Sequence, residues 1–287
     1  MSIMDEARET ALEVEGAAGK VTVETVQQAL LGGMSPRDAI GEAMGREFNV
    51  WPQSAAGYEL PVVIMAGGEG SRLRPLTYQI PKPLIPIGET TLVEMCMDTF
   101  ANAGCKKFFV SLNYKADQIE RYLSEHNSRG HEYVFYREDK PLGSGGSLSL
   151  IRDQIKSTFI VASCDIVLKQ DFRRVIDYHR ASGNQVTVVV ALKRYKLTYG
   201  NMLVDKNQRL MSMEEKPEYA FRVNTAVYVF EPELLREVPE EYYPITSLID
   251  KVIKRGARVG CFPITYGSWR DVGTWEDYHF MMDGGLK

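Results

Sequence analysis

Residues 62–65 are four apolar residues in a row, and they run without a polar linker into Ala66-Gly67-Gly68-Glu69-Gly70-Ser71. A short apolar run that stops on a glycine turn reads as a buried strand emptying into a tight loop. Gly67, Gly68 and Gly70 carry no side chain to block a ligand, so successive backbone N–H groups can converge on anionic oxygens. Arg72, Arg74 and Lys82 follow, supplying positive charge that a purely structural turn does not need. No Lys-Ser/Thr pair closes a P-loop, and no third glycine stands at dinucleotide-fold spacing. The stretch therefore reads as a turn built to meet a polyphosphate by another route.

From Pro61 onward, short apolar strands alternate with amphipathic helices, the pattern of a parallel α/β sheet. Strands are expected over 62–65, 107–112, 133–136, 159–163, 185–192, 223–230 and 258–262, with a hairpin-like segment over 199–213. Thr91 and Glu94 form a capping box ahead of a helix whose apolar residues recur at helical spacing, and Gly104 ends it. Ile119, Tyr122 and Leu123 share one face of a second helix, the glycine-rich loop 141–147 opens another, and 246–254 forms one more. The strand over 159–163 is continuously apolar, as a strand covered on both faces should be. It ends on Cys164-Asp165, and ligands bind beyond the carboxyl ends of such strands, so Asp165 stands where chemistry is expected.

Residues 1–57 differ in character. They hold a helix-like segment over 23–31, a Gly32-Gly33 stop, a Ser35-Pro36 start and a polar exit, which separates a leader, 1–57, from a domain over 58–287. A net charge of −4 gives no support for nucleic acid as the main partner. No apolar run reaches the length of a membrane span, and the acidic N-terminus is unlike a secretory signal, so membrane insertion is not expected and the cytoplasm is the expected compartment. The four cysteines lack paired spacing, which argues against a zinc ribbon and a disulfide framework, and Cys96 reads as a small buried hydrophobe.

The string Gly67-Gly68-Glu69-Gly70-Ser71-Arg72-Leu73-Arg74-Pro75-Leu76-Thr77, followed by Pro81-Lys82-Pro83, resembles the signature of the sugar-1-phosphate nucleotidylyltransferases. The resemblance extends over about 61–279. It implies a Rossmann-like, mainly parallel α/β sheet of the nucleotide-diphospho-sugar transferase type, with a sugar-binding β insertion and a short helical N-terminal leader. It also implies an enzyme that joins a nucleoside triphosphate to a sugar 1-phosphate, giving a nucleotide sugar and pyrophosphate. Both substrates are anionic, so charge neutralisation and alignment carry the catalysis.

By that resemblance, Arg72, Lys82 and Asp165 are catalytic, and Ala66, Gly67, Gly68, Gly70, Ser71, Arg72, Lys82 and Gly143 bind the nucleotide. Tyr199, Gly200, Glu215, Lys216 and Asn224 bind the sugar phosphate, Lys216 gripping its phosphate and Glu215 a hydroxyl. Asp165 and Asp271, the latter in Trp269-Arg270-Asp271-Val272-Gly273, match two metal-binding aspartates, with Mg²⁺ the implied cofactor. Asn113-Tyr114-Lys115 and 141–150 are most similar to a bacterial branch that often carries CBS modules and uses GTP or related triphosphates for surface-sugar biosynthesis. GTP is the favoured triphosphate, a homo-oligomer is expected, and the leader looks like a degenerate CBS fragment.

Three departures bear on the site. Cys164 replaces a glycine before the first aspartate, placing a side chain where backbone meets ligand. Thr225-Ala226 replace Ala-Gly after the asparagine, which could tighten the sugar pocket. Arg270 and Trp275 replace an apolar residue and a proline beside the second aspartate. The rival readings are a nucleotidylyltransferase for a phosphorylated alcohol and a catalytically silent regulatory relative. Clustered retention of Arg72, Lys82, Asp165, Lys216 and Asp271 argues against silence.

Overall fold

A computed structural model describes residues 57–286, all within one compact unit, Ala55–Lys287. The leader's expected helices and its CBS-like character lie outside the described residues. The strands, in chain order, are β1 (Val62–Met65), β2 (Lys107–Leu112), β3 (Glu132–Arg137), β4 (Phe159–Ser163), β5 (Ile166–Leu168), β6 (Val186–Lys196), β7 (Asn201–Val204), β8 (Leu210–Glu214), β9 (Glu218–Phe230), β10 (Val259–Thr265) and β11 (Trp269–Asp271). The helices are α1 (Leu92–Ala101), α2 (Ala116–Glu125), α3 (Phe172–Ala181), α4 (Ile245–Lys254) and α5 (Trp275–Met282).

Seven strands form the central sheet in the order β10-β6-β9-β4-β1-β2-β3. Six run in one direction, and β9 lies antiparallel to both β4 and β6. The mainly parallel α/β sheet expected from the alternation is therefore present. Its central strands are apolar on both faces: Val63, Phe109, Val161 and Val188 pack against Leu148, Leu234 and Leu248. Their alternates Val62, Ile64, Phe108, Val110 and Ile160 are equally buried. Each such side chain contributes about 1.5–3 kcal/mol relative to exposure, which makes the sheet a rigid base for the loops above it.

The capping box forms as expected: the Thr91 N–H donates to Glu94 Oε2 at 2.9 Å, while Thr91 Oγ1 accepts from the Glu94 N–H. Helix α3 did not feature among the expected elements. Its signal was present, because Asp171 caps it and Phe172, Val175, Ile176 and His179 recur at helical spacing and are buried. The loop expected to open a helix forms only one turn, Gly143–Gly146, followed by a 3₁₀ segment, Ser147–Ile151. The turn docks closely: a Cβ at Gly146 would lie 2.1 Å from the Glu241 carbonyl oxygen, so this position must stay bare.

The expected β insertion is larger than its sequence pattern. Strands β6 and β9 continue as an antiparallel ribbon to the pair Glu218↔Lys196, and β7 and β8 form a separate two-stranded hairpin. This region exposes Tyr199, Met202, Leu210 and Met213. Among the described residues, no helix is long and apolar enough to cross a membrane.

Candidate active site

Strand β1 delivers the glycine loop to the carboxyl edge of the sheet, where the Ala66 N–H donates to the Ser111 carbonyl at 3.0 Å. Gly70 turns the chain at φ 63°, and a Cβ there would come within 2.9 Å of the Lys82 Cβ. Only glycine meets both conditions. Gly67, Gly68, Gly70, Ser71, Arg72, Lys82, Gly143 and Asp165 all line one cleft of about 580 Å³. Ala66 lies buried beneath it.

Lys82 and Asp165 are both more than nine-tenths buried, and their side chains form an ion pair to which Ser163 Oγ adds a hydrogen bond on the other carboxylate oxygen. A pair this shielded is held by charge at both ends, and losing either partner strands the other in a low dielectric. Antiparallel pairing of β11 with β5 brings the second aspartate to the same place: Asp271 lies opposite Ile166, and the Val272 N–H donates to the Asp165 carbonyl at 3.0 Å. Burial pushes the Asp271 carboxyl up, the Asp165 charge pushes it further, and Lys82 and Arg72 pull it back. Asp271 Oδ1 is buried without a hydrogen-bond partner.

Arg72 reaches the same point from the opposite wall. Gly273 leaves room for it, since a Cβ there would lie 2.6 Å from Arg72 Nη2 and 3.1 Å from Asp271 Oδ1. Arg74, counted among the cations of the loop, does not line the cleft: it pairs with Glu69 at 2.7 Å and lies over the Tyr78 ring. Arg72 lies within the 3₁₀ turn Ser71–Leu73, whereas Arg74 follows it in extended backbone, so the two side chains leave the chain in different directions.

Two carboxylates that repel each other, one with an orphaned buried oxygen, fit a hard divalent cation whose remaining positions are filled by phosphate and water. Among the described residues no group of three or more His, Cys, Asp or Glu could hold a metal. Two carboxylates leave most positions of such a cation to phosphate and water, which suits a cation that arrives with an anionic substrate.

The residues expected to bind the sugar phosphate are not in this cleft lining. Tyr199 is 82% exposed, and Lys216, at φ 47°, lies 4.0 Å from Glu215 on the exposed segment between β8 and β9. Glu215 leans on Gly200, where a Cβ would sit 3.1 Å from Oε2. Asn224 spends its amide on the irregular turn within β9, donating to the Tyr228 hydroxyl at 2.8 Å and accepting from the Ala226 N–H at 3.0 Å. That turn touches β11, because Trp269 Nε1 donates to the Thr225 carbonyl at 3.3 Å. The two groups of predicted residues are therefore linked through the strand that carries Asp271.

The departures resolve structurally. Thr225 is buried and donates to the Val189 carbonyl at 2.8 Å, which ties its side chain to β6. Arg270 and Trp275 pack: the guanidinium lies 3.9 Å from the Phe280 ring centroid and near Asp277, and the indole donates to the Arg74 carbonyl. Cys164 lines the cleft, with its thiol pushed up by burial and by the Asp165 charge, which leaves it a neutral small side chain. Cys96 is buried, as its helical position indicated.

Sequence reasoning missed Ser111, Glu138 and Tyr242, which also line the cleft, and read Asn113 only as part of a motif. Glu138 accepts from Ser111 Oγ at 2.7 Å and from the Leu142 N–H at 2.8 Å. Its position at the end of β3, just ahead of the glycine-rich loop, was the available signal.

Residues 61–284 match the family model described as Nucleotidyl transferase. Over 230 residues the chain is 28% identical to the mannose-1-phosphate guanylyltransferase catalytic subunit beta of Drosophila melanogaster, a match covering 78% of this chain and 62% of that protein. A UTP–glucose-1-phosphate uridylyltransferase of Synechocystis is 28% identical over 248 residues, covering 79% of this chain and 64% of that one. The chain thus spans about three-fifths of the length of these relatives. The crystal structure of HddC from Yersinia pseudotuberculosis superposes with a TM-score of 0.61 at 26% identity, covering 78% of this chain and 99% of that one. A putative glucose-1-phosphate thymidylyltransferase of Bacillus anthracis shares the fold, with a TM-score of 0.63 at 18% identity over 79% of this chain and 96% of that one. With the glycine loop, the buried Lys82–Asp165 pair and Asp271 assembled at one sheet edge and the family model spanning the whole sheet, the chain belongs to the nucleotidyl transferase family.

Proposed function

We propose that this chain transfers a nucleotidyl group, GMP from GTP in preference, to a sugar 1-phosphate, releasing pyrophosphate. The observation that carries the reading is a single cleft lined by the bare glycine loop, Arg72, the Lys82–Asp165 pair and Glu138. The phosphate oxygen of the sugar 1-phosphate attacks the α-phosphorus. The bond from that phosphorus to the bridging oxygen breaks, and pyrophosphate leaves with the electron pair. No covalent enzyme intermediate is required, so alignment and charge are the protein's contribution.

Backbone N–H groups of the loop and Arg72 would hold the triphosphate, while Lys82 opposes the charge on the transferred phosphate. Asp165 and Asp271 would hold Mg²⁺, which neutralises phosphate charge when bound. Lys216 would take the sugar phosphate, with Tyr199, Gly200, Glu215 and Asn224 toward the sugar hydroxyls. All but Asn224 stand beside the ribbon and hairpin, elements with much exposed surface, which suits a part that closes over a second substrate.

Glu138 supports the choice of guanine. A carboxylate accepts at about four lone-pair sites, and Ser111 and Leu142 occupy two. Guanine alone offers two adjacent N–H donors on one edge, whereas uracil and thymine flank a single N–H with carbonyl oxygens that a carboxylate repels. The exposed apolar side chains of the β7–β8 hairpin support the homo-oligomer we expect, and a triphosphate-consuming reaction suits the cytoplasm. We take 58–287 as the transferase domain and 1–57 as its leader.

Pyrophosphate release, measured for GTP, UTP, CTP, dTTP and ATP against a panel of sugar 1-phosphates and phosphocholine, tests the proposal. The highest kcat/KM is expected with GTP and a sugar 1-phosphate, and Glu138→Gln should erode the preference for GTP over UTP at least tenfold. Turnover with phosphocholine alone, or with no pair, would refute it.

A further inference from the structure

Tyr242 is 69% exposed, and the residue that follows it is tied by its backbone to the glycine-rich turn. The Tyr243 N–H donates to the Leu142 carbonyl at 2.8 Å, and the Tyr243 carbonyl accepts from the N–H groups of Gly145 and Gly146 at 2.8 and 2.9 Å. The Tyr242 ring rests on Gly143, where a Cβ would lie 3.2 Å from Cε2 and 3.4 Å from Cδ2. The Cδ2–Cε2 edge of the ring thus lies against bare backbone, and the residue lines the cleft together with Gly143 and Glu138.

A ring confined along one edge has less side-chain freedom to lose when a planar ligand arrives, so less of the contact is offset by ordering the ring. The cleft's charged groups account for the phosphates, and Glu138 for the edge of the base. Nothing in that assignment covers the faces of the base. Resting on the reading of the cleft as a nucleoside triphosphate site, we infer that Tyr242 is a nucleotide-contacting residue whose ring forms a stacking platform for the base. Its contact with Gly143 of the glycine-rich turn assigns it to the nucleoside part of the ligand. Because every base has a π-face, the platform raises affinity for any nucleoside triphosphate and leaves the choice among them to Glu138.

Equilibrium titration of the full chain with GTP and, separately, with inorganic tripolyphosphate tests this. Tyr242→Ala should weaken GTP by about 5- to 150-fold, the range for loss of one base–aromatic stack. Tripolyphosphate should bind within about twofold of the unsubstituted chain, and Tyr242→Phe should retain GTP affinity within about threefold. Should Tyr242→Ala fail to fold, Tyr242→Leu, which keeps bulk without the π-face, should show an intermediate loss for GTP alone. GTP affinity unchanged in Tyr242→Ala, or GTP and tripolyphosphate weakened equally, would overturn the inference while leaving the proposed activity standing. An unsubstituted chain that binds tripolyphosphate but no nucleoside triphosphate would overturn both.

Discussion

Replacing Gly273 by alanine perturbs Arg72 without touching it chemically. The added Cβ would stand 2.6 Å from Nη2 and 3.0 Å from Cζ of the guanidinium. Ordinary carbon contacts lie at about 3.5–4.0 Å, so the guanidinium must retreat by about 1 Å. Arg72 is exposed and ends a flexible side chain, so it can make that retreat, and the fold should lose no more than about 1 kcal/mol. Catalysis cannot accommodate the shift as easily, because a misplacement of about 1 Å can cost on the order of 100-fold when a group must meet developing charge. Gly273→Ala is therefore expected to lower kcat by about 10- to 100-fold, or roughly 1.4–2.7 kcal/mol of transition-state stabilisation, read by pyrophosphate release at saturating substrates. The Cβ would also lie 3.1 Å from Asp271 Oδ1, so a double-mutant cycle is needed to identify the route. If the effect passes through Arg72, adding Gly273→Ala to Arg72→Ala should cost little more than Arg72→Ala alone. Full additivity, or a Gly273→Ala variant with unchanged kcat, refutes the reasoning.

Asp165→Asn and Asp271→Asn should each lower kcat at least about 100-fold, but they should differ in stability without added metal. The first strands the buried Lys82 and should cost up to about 3–5 kcal/mol in denaturant unfolding, whereas the second removes a repelled carboxylate and should cost nothing or stabilise; equal losses would show that the two carboxylates do not share one electrostatic site. Lys216→Ala should raise the KM for the sugar phosphate about 10- to 100-fold and leave the KM for the triphosphate near its original value, and an unchanged sugar-phosphate KM excludes the assigned role. His179 is buried between Thr187 and Glu231, at 2.8 and 2.9 Å, and burial lowers its affinity for a proton below the ordinary 6.5. Below pH 6.5 the unfolded chain therefore binds a proton that the folded chain refuses, so this contribution is intact above 6.5 and declines as pH falls, by at most about 1.4 kcal/mol per pH unit. Stability of His179→Gln should fall less steeply between pH 6.5 and 5 than that of the unsubstituted chain, and parallel curves would show that the histidine charges in the folded state.

The parallel sheet was legible because its strands are apolar on both faces, a local pattern that survives in one dimension. The capping box of α1 was equally legible, since Thr91 and Glu94 complete it within one turn. Helix α3 carries the same kind of local signal in its Asp171 cap and its helical periodicity. The ribbon beyond Leu192 was not legible: Lys193–Lys196 and Glu218–Arg222 are mostly polar, and only their pairing with one another makes them strands. Likewise, sequence could give the cations of the glycine loop but not their directions, and Arg74 turns outward to Glu69.

The chemistry of the site was carried by the sequence alone, because a bare glycine loop followed by cations, a strand ending on Asp165 and a distant Asp271-Val272-Gly273 are each local arrangements of residue types. What only the tertiary structure decided was their convergence. Antiparallel pairing of two three-residue strands places Asp271 beside Asp165 across about a hundred residues of chain, and that proximity is what repels the carboxylates and orphans an oxygen. Glu138 and Tyr242 have no motif at all. They enter the site because β3 ends at the edge where β1 ends, and because the backbone at Tyr243 hydrogen-bonds to the glycine turn. Local sequence specifies which groups are available and what turns they sit on, whereas the distance between groups far apart in the chain is set by sheet order and packing, which no short window of sequence contains.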